Sequence, residues 1–102
     1  MSTSPPDPVL QISGPSELNA MNATPFRDQV RSSLRPEHQQ IDIDFSETRF
    51  VDSSGLGALI SLHKAMVGRQ GRIRVVQPTP QVQQVLELTR MHRLFEIVAL
   101  PS

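Results

Sequence analysis

Few residues in this chain have chemistry to offer, and the densest group is Asp52-Ser53-Ser54-Gly55-Leu56-Gly57. A carboxylate beside two hydroxyls suggests nucleophilic catalysis, helix capping or modification of a hydroxyl. A hydrolase built on Ser53 would need a histidine in reach and an oxyanion hole. The run is not a G-x-S-x-G elbow, and the histidines lie far apart in the sequence. His63 falls within an apolar helical pattern and reads as packed, while His38 and His92 fall in polar connections and read as solvated. Their dispersal does not suggest the convergent ligands of a metal site. Asp44 and Asp52 could serve as an acid–base pair only inside a pocket that perturbs them, and no pocket-forming insertion is evident. Gly55 and Gly57 lack the G-x-x-x-x-G-K pattern that cradles nucleotide phosphates. The chain has no cysteine, so disulfides, thiolate metal sites and a Cys nucleophile are excluded. What remains is an Asp or Ser capping a helix, worth about 0.5–2 kcal/mol, within a turn so small and polar that another molecule can approach it closely. No cofactor is implied.

The rest of the chain must position that turn. A length of 102 residues allows one domain. Ten basic and ten acidic side chains balance to zero charge, which argues against sequence-blind nucleic-acid binding. No apolar run approaches the roughly 18–20 residues of a membrane span. The N-terminus has neither the basic nor the apolar region of a secretory signal, so a cytoplasmic protein with no direct membrane insertion is expected. Residues 1–8 hold three prolines and little to bury, which predicts a frayed tail followed by one domain over 9–102.

Within that domain Val9 to Ser13 reads as a strand stopped by Gly14-Pro15, with Glu17 to Ala20 as a short strand beside it. Asn22 or Thr24 can cap a helix with Pro25 in its first turn. Phe26, Val30 and Leu34 form its apolar stripe, and Pro36 ends it. Ile41-Asp42-Ile43-Asp44-Phe45 alternates, which puts the apolar side chains on one face and both carboxylates on the other. Phe50 and Val51 follow after a polar turn. From Ser54 to about Val67 the pattern is helical, with Leu56, Leu59, Ile60, Leu62, Met66 and Val67 covering a wide sector and Gly68 and Gly71 closing it. Arg72 to Val76 is a strand. Thr79 caps and Pro80 starts another helix with Val82, Val85 and Leu86 inward, and residues from Leu94 to Leu100 form a turn and a last strand.

Strands alternating with helices predict an α/β fold with at least partly parallel pairing. Strands covered on both faces read as continuous apolar runs, yet two strands here carry charges at alternate positions. The expectation is a small mixed sheet of 4–5 strands with helices packed mainly on one face. If those two strands are neighbours, Asp42 and Asp44 lie near Arg72 and Arg74 on the open face. Met21, Met66 and Met91 read as core or edge filler, or as partner-contact surface where exposed near the motif.

The run Asp52-Ser53-Ser54-Gly55-Leu56-Gly57, preceded by Asp44 and followed by Leu59-Ile60 and Leu62-His63, resembles the signature of the STAS domain. It is most similar to the bacterial anti-sigma factor antagonists. Pro78-Thr79-Pro80-Gln81-Val82, Val85-Leu86-Glu87-Leu88-Thr89 and Leu94-Phe95-Glu96-Ile97 extend the match, as do Leu18-Asn19-Ala20 and Thr24-Pro25-Phe26-Arg27 more loosely. The resemblance implies a STAS fold, monomeric when free, that is not an enzyme. It implies binding to an anti-sigma factor that is also a serine kinase, so that the sigma factor is freed. That kinase would phosphorylate Ser53, with Ser54 as second candidate, and so switch binding off, and a PP2C-type phosphatase would restore it. Asp52, Ser53, Ser54, Gly55, Leu56 and Gly57 map to the partner-binding edge, with Leu56, Leu59 and Ile60 anchoring the helix beneath.

Three positions depart from the family pattern. The first strand is short and proline-flanked, which puts the usual leading hairpin in question. Leu18-Asn19 stands where Leu-Asp is common. Arg90 stands where many members have glycine, so that helix must end differently or carry roughly 1 kcal/mol of backbone cost. STAS domains also serve as regulatory subunits of membrane transporters, and a phosphorylation-controlled adaptor without a sigma factor is a further alternative.

Overall fold

The computed structural model describes residues 8–99. Of the expected tail over 1–8 only Pro8 lies among them, and its carbonyl accepts from the N–H groups of Gln39 and Gln40 at 2.8 and 3.1 Å. Leu100, expected in the last strand, lies outside the described residues.

The strands are β1 (Val9–Ser13), β2 (Glu17–Leu18), β3 (Gln40–Asp44), β4 (Phe50–Val51), β5 (Arg72–Val76) and β6 (Glu96–Val98). The helices are α1 (Ala23–Ser33), α2 (Ser53–Val67) and α3 (Pro80–Leu88), with a 3-10 turn at Met91–Arg93. One sheet has the order β1-β3-β5-β6, and β2 pairs separately with β4. The α/β class with helices over one face holds, but every pairing among the described strands is parallel where a mixed sheet was expected. The physical reason is connectivity. Each neighbour in the large sheet is reached through a helical crossover, and a crossover brings the chain back in the same direction. The expected pairing of Glu17 to Ala20 beside the first strand is also corrected: β2 lies against β4, with Leu18 opposite Val51.

Strand alternation decides which face the helices cover. Ile41, Ile43, Ile73 and Val75 are fully buried or nearly so. They join Phe26 and Val30 of α1, Leu59, Leu62 and Met66 of α2, and Val82 and Leu86 of α3 in one apolar cluster. The opposite face carries Gln40, Asp42, Arg72 and Arg74. Register puts Asp42 opposite Arg74 and Gln40 opposite Arg72. Arg74 Nε donates to Asp42 Oδ1 at 3.1 Å, and its Nη1 lies 3.6 Å from Glu96. The expected carboxylate–arginine neighbourhood therefore forms for Asp42 only. Asp44 stands opposite Val76 and instead accepts from the N–H of Ser46 at 2.8 Å. Such a cross-strand pair is worth roughly 0.2–1 kcal/mol.

Helix ends follow the sequence in part. Thr79 caps α3, its Oγ1 accepting from Val82 N–H at 3.3 Å. Asn22 occupies the N-cap of α1, but its side chain makes no cap bond. Pro36 lies beyond a helix that ends at Ser33, with Leu34 as C-cap. Gly68 is the C-cap of α2 in ordinary right-handed geometry, and it is Gln70 that takes positive φ, at 60°. Gly71 is required for space: a Cβ there would lie 2.5 Å from the carbonyl oxygen of Gln39. After α3, Arg90 adopts φ 61° itself. The missing glycine thus leaves the left-handed turn in place, at a cost of about 1–2 kcal/mol of local backbone energy. Val67, placed with the apolar sector of α2, is the last residue of that helix and is 56% exposed.

Candidate functional site

The motif turn sits where β2 and β4 end side by side and α2 begins. Asp52 is the N-cap, with extended backbone at φ −97° and ψ −173°. Its two carboxylate oxygens have separate tasks. Oδ1 accepts from the N–H of Gly55 at 2.9 Å, inside the first turn of α2. Oδ2 accepts from the N–H of Ala20 at 3.1 Å, across to the loop between β2 and α1. The Asp52 backbone N–H donates to Leu18 O at 3.1 Å, and its carbonyl accepts from Leu56 N–H at 2.9 Å. One residue therefore ties the helix start to two neighbouring segments.

Ser53 and Ser54 are the first two residues of α2, and both are exposed. Among the described residues no acceptor meets their backbone N–H groups. The positive end of the helix dipole is thus open at this point. Gly55 is buried, and a Cβ on it would lie 2.6 Å from the carbonyl oxygen of Leu18 and 2.9 Å from Val51 Cγ1. Gly57 is exposed, and a Cβ on it would meet nothing within 4 Å. Leu59 is fully buried beneath the turn, while Leu56 and Ile60 are half-buried and pack against the same cluster. The helix begins at Ser53, one residue before the expected Ser54.

The loop from Asn19 to Asn22 is a part of this surface that the motif did not disclose. Asn19 Oδ1 accepts from Met21 N–H at 2.9 Å, and Asn22 Oδ1 accepts from Asn19 N–H at 2.8 Å. Asn22 Nδ2 donates to Glu17 O at 2.7 Å. Asn19 therefore supplies the acceptor that an aspartate would, without the charge. The N-x-x-N spacing was the available signal, because short amide side chains bond their own turns in this way. Met21 projects from that loop at 88% exposure.

The other candidates fall elsewhere. His38 is buried rather than solvated. Its Nδ1 accepts from Arg35 N–H at 2.9 Å, and Arg69 Nη1 donates to its carbonyl at 3.1 Å, so contacts from a distant arginine close over it. His63 is half-buried on α2 and meets Phe95 edge to face at 5.8 Å, with Nδ1 buried and unpartnered. His92 is exposed, its Nδ1 lying 3.4 Å from Leu86 O. Asp44 and Asp52 have separate hydrogen-bond partners. No helix among the described residues is long and apolar enough to cross a membrane.

A parallel sheet with helices over one face, and a capped helix start with two exposed serines tied to the neighbouring loop, define a small α/β module. Comparison with known proteins agrees. A family model described as "Mlab, STAS domain" matches residues 1–99, and the chain belongs to the STAS domain family. It is 29% identical over 92 residues to a "Putative anti-sigma factor antagonist" of Thermotoga maritima, covering 89% of this chain and 81% of that one. It is 28% identical over 90 residues to a STAS-domain containing protein of Pseudomonas aeruginosa, covering 87% and 85%. A crystal structure bearing the same description from Thermotoga maritima superposes with a TM-score of 0.80 at 29% identity, covering 90% of this chain and 80% of that one. The unphosphorylated anti-sigma factor antagonist SpoIIAA shares the fold, with a TM-score of 0.72 at 20% identity and coverage of 92% and 79%.

Proposed function

We propose that this chain is an anti-sigma factor antagonist acting by partner switching. In this reading the unphosphorylated form binds an anti-sigma factor with serine kinase activity and so frees the sigma factor. Phosphorylation of Ser53 by that kinase ends the interaction, and a PP2C-type phosphatase restores it. Asp52, Ser53, Ser54, Gly55, Leu56 and Gly57 form or shape the docking edge, and Ser54 is the second candidate acceptor. The observation that carries the reading is the exposed hydroxyl of Ser53 at the first position of α2, directly after a doubly bonded Asp52. The relatives named as anti-sigma factor antagonists support it.

The physics of such a switch is local. A phosphate adds about −1.5 to −2 charges at pH 7. On Ser53 it would lie at the open, positive end of α2, where two N–H groups lack acceptors, so it leaves the fold intact. Its bulk and charge act on whatever docks over the turn, and a loss of about 1.4 kcal/mol there is already tenfold in affinity.

The test is a phosphopeptide map of the chain from its own cells, growing and stressed. Trypsin cuts after Arg49 and Lys64, so a single peptide carries both serines. Phosphate on Ser53 whose occupancy changes with condition is the expected result. A peptide seen at full coverage and never modified in any condition overturns the phosphorylation switch and turns attention to a transporter subunit or a constitutive binder.

A further inference from the structure

Among the described residues, exposed sulfur is found at one place. There is no cysteine. Of the methionines among the described residues, Met66 is fully buried in the core, Met91 is 6% exposed and Met21 is 88% exposed. The backbone that carries Met21 is tied at two points. Its own N–H is held by Asn19 Oδ1, and the preceding N–H is held by the same Asp52 carboxylate that caps the helix behind Ser53. Its backbone is therefore held next to Asp52, the residue before Ser53, and its side chain is open to solvent.

We propose that Met21 is a site of reversible oxidation that gives the docking face a redox input beside the phosphate on Ser53. The regulatory half rests on the partner-switching reading; the modification does not. A peroxide is the oxidant. A sulfur lone pair attacks one oxygen of hydrogen peroxide, the O–O bond breaks, and the departing hydroxide takes the proton from the oxygen now bound to sulfur and leaves as water. The sulfur loses two electrons and becomes the sulfoxide. A methionine sulfoxide reductase returns it with two thiol electrons, forming a disulfide and water. The product is polar where the thioether was apolar and polarizable. The change falls on solvent-exposed surface, so the core is untouched while an apolar contact on the docking face is lost.

The experiment has two arms. In the first, the purified full chain is treated with hydrogen peroxide and mapped by mass spectrometry. Fragment ions separate Met1 from Met21, which share the tryptic peptide ending at Arg27. Met21 should oxidise about tenfold or more faster than Met66 and Met91, because thioether oxidation follows access. Equal rates in the folded protein overturn the proposal. In the second, cells of the source are pulsed with peroxide and allowed to recover. Sulfoxide at Met21 should rise and then fall back; no rise, or no return, overturns it. Met21→Leu keeps an apolar side chain without the oxidisable sulfur. In that variant Ser53 phosphate occupancy should no longer respond to peroxide, whereas the wild type responds, and the same response in both overturns the regulatory half. If Ser53 carries no phosphate in either strain, partner switching fails, while the sulfoxide cycle still decides the modification.

Discussion

Gly55 and Gly57 stand two positions apart on α2 and face different surroundings. Gly55 is turned toward the chain's own β2 and β4, where a single added carbon would press on the Leu18 carbonyl and on Val51. Gly57 is turned outward, and an added carbon would meet nothing. A glycine inside a helix costs about 0.5–1 kcal/mol relative to alanine. At Gly55 that cost is offset by close packing that no other residue permits. At Gly57 nothing within the described chain offsets it, which fits the proposal that a partner docks there. The same division runs through the neighbouring residues: Asp52 and Leu59 face inward and hold the turn, while Ser53 and Ser54 face outward and hold nothing.

The comparison can be broken by mutation. Gly55→Ala should destabilise the domain by about 1–3 kcal/mol, the usual cost of overpacking against atoms that cannot yield. Circular dichroism is the probe for urea or thermal unfolding, because the chain lacks Trp and Tyr. An unchanged midpoint would mean that β2 gives way and that the inward glycine is not a packing device. Asp52→Ala removes both the helix cap and the tie to Ala20, and should cost about 1–2 kcal/mol. Amide exchange should show the loop from Asn19 to Asn22 loosening with it. Gly57→Ala should do the opposite and stabilise the helix by about 0.5–1 kcal/mol, while weakening docking of the anti-sigma factor in titration calorimetry. Weaker binding together with greater stability separates a docking residue from a structural one, and unchanged binding would remove Gly57 from the interface. Ser53→Asp should shift stability least, by no more than about 0.5 kcal/mol. Its effect should appear in affinity alone, and a collapse of the fold in that variant would refute an interface switch.

Some of this was legible in the sequence because it depends on short-range periodicity. Ile41, Ile43 and Phe45 alternate with two carboxylates, so the buried face of β3 and the bare opposite face could be read directly. Thr79-Pro80 announced a helix start, and the six-residue motif marked the candidate site. Other features depend on residues far apart in the chain. His38 looks solvated from its polar neighbours, but Arg69, thirty-one residues away, closes over its carbonyl. Two-residue strands such as β2 and β4 carry too little pattern to reveal a partner, so their pairing was misread. Glycine marks a helix end only when the chain there needs positive φ, and here Gln70 and Arg90 take that conformation instead.

The sequence by itself determined the class of fold, the inward face of each long strand and the identity of the motif, because side-chain period and turn chemistry act over a few residues. Only the tertiary structure decided how that motif is used. It set β2 against β4, and so made Gly55 obligatory. It brought Ala20 to the second oxygen of Asp52, and so held the loop that carries Met21 against the motif turn. Contacts of this kind join segments more than thirty residues apart, and their partners are settled only when the core closes and leaves each polar group to the neighbours it then has.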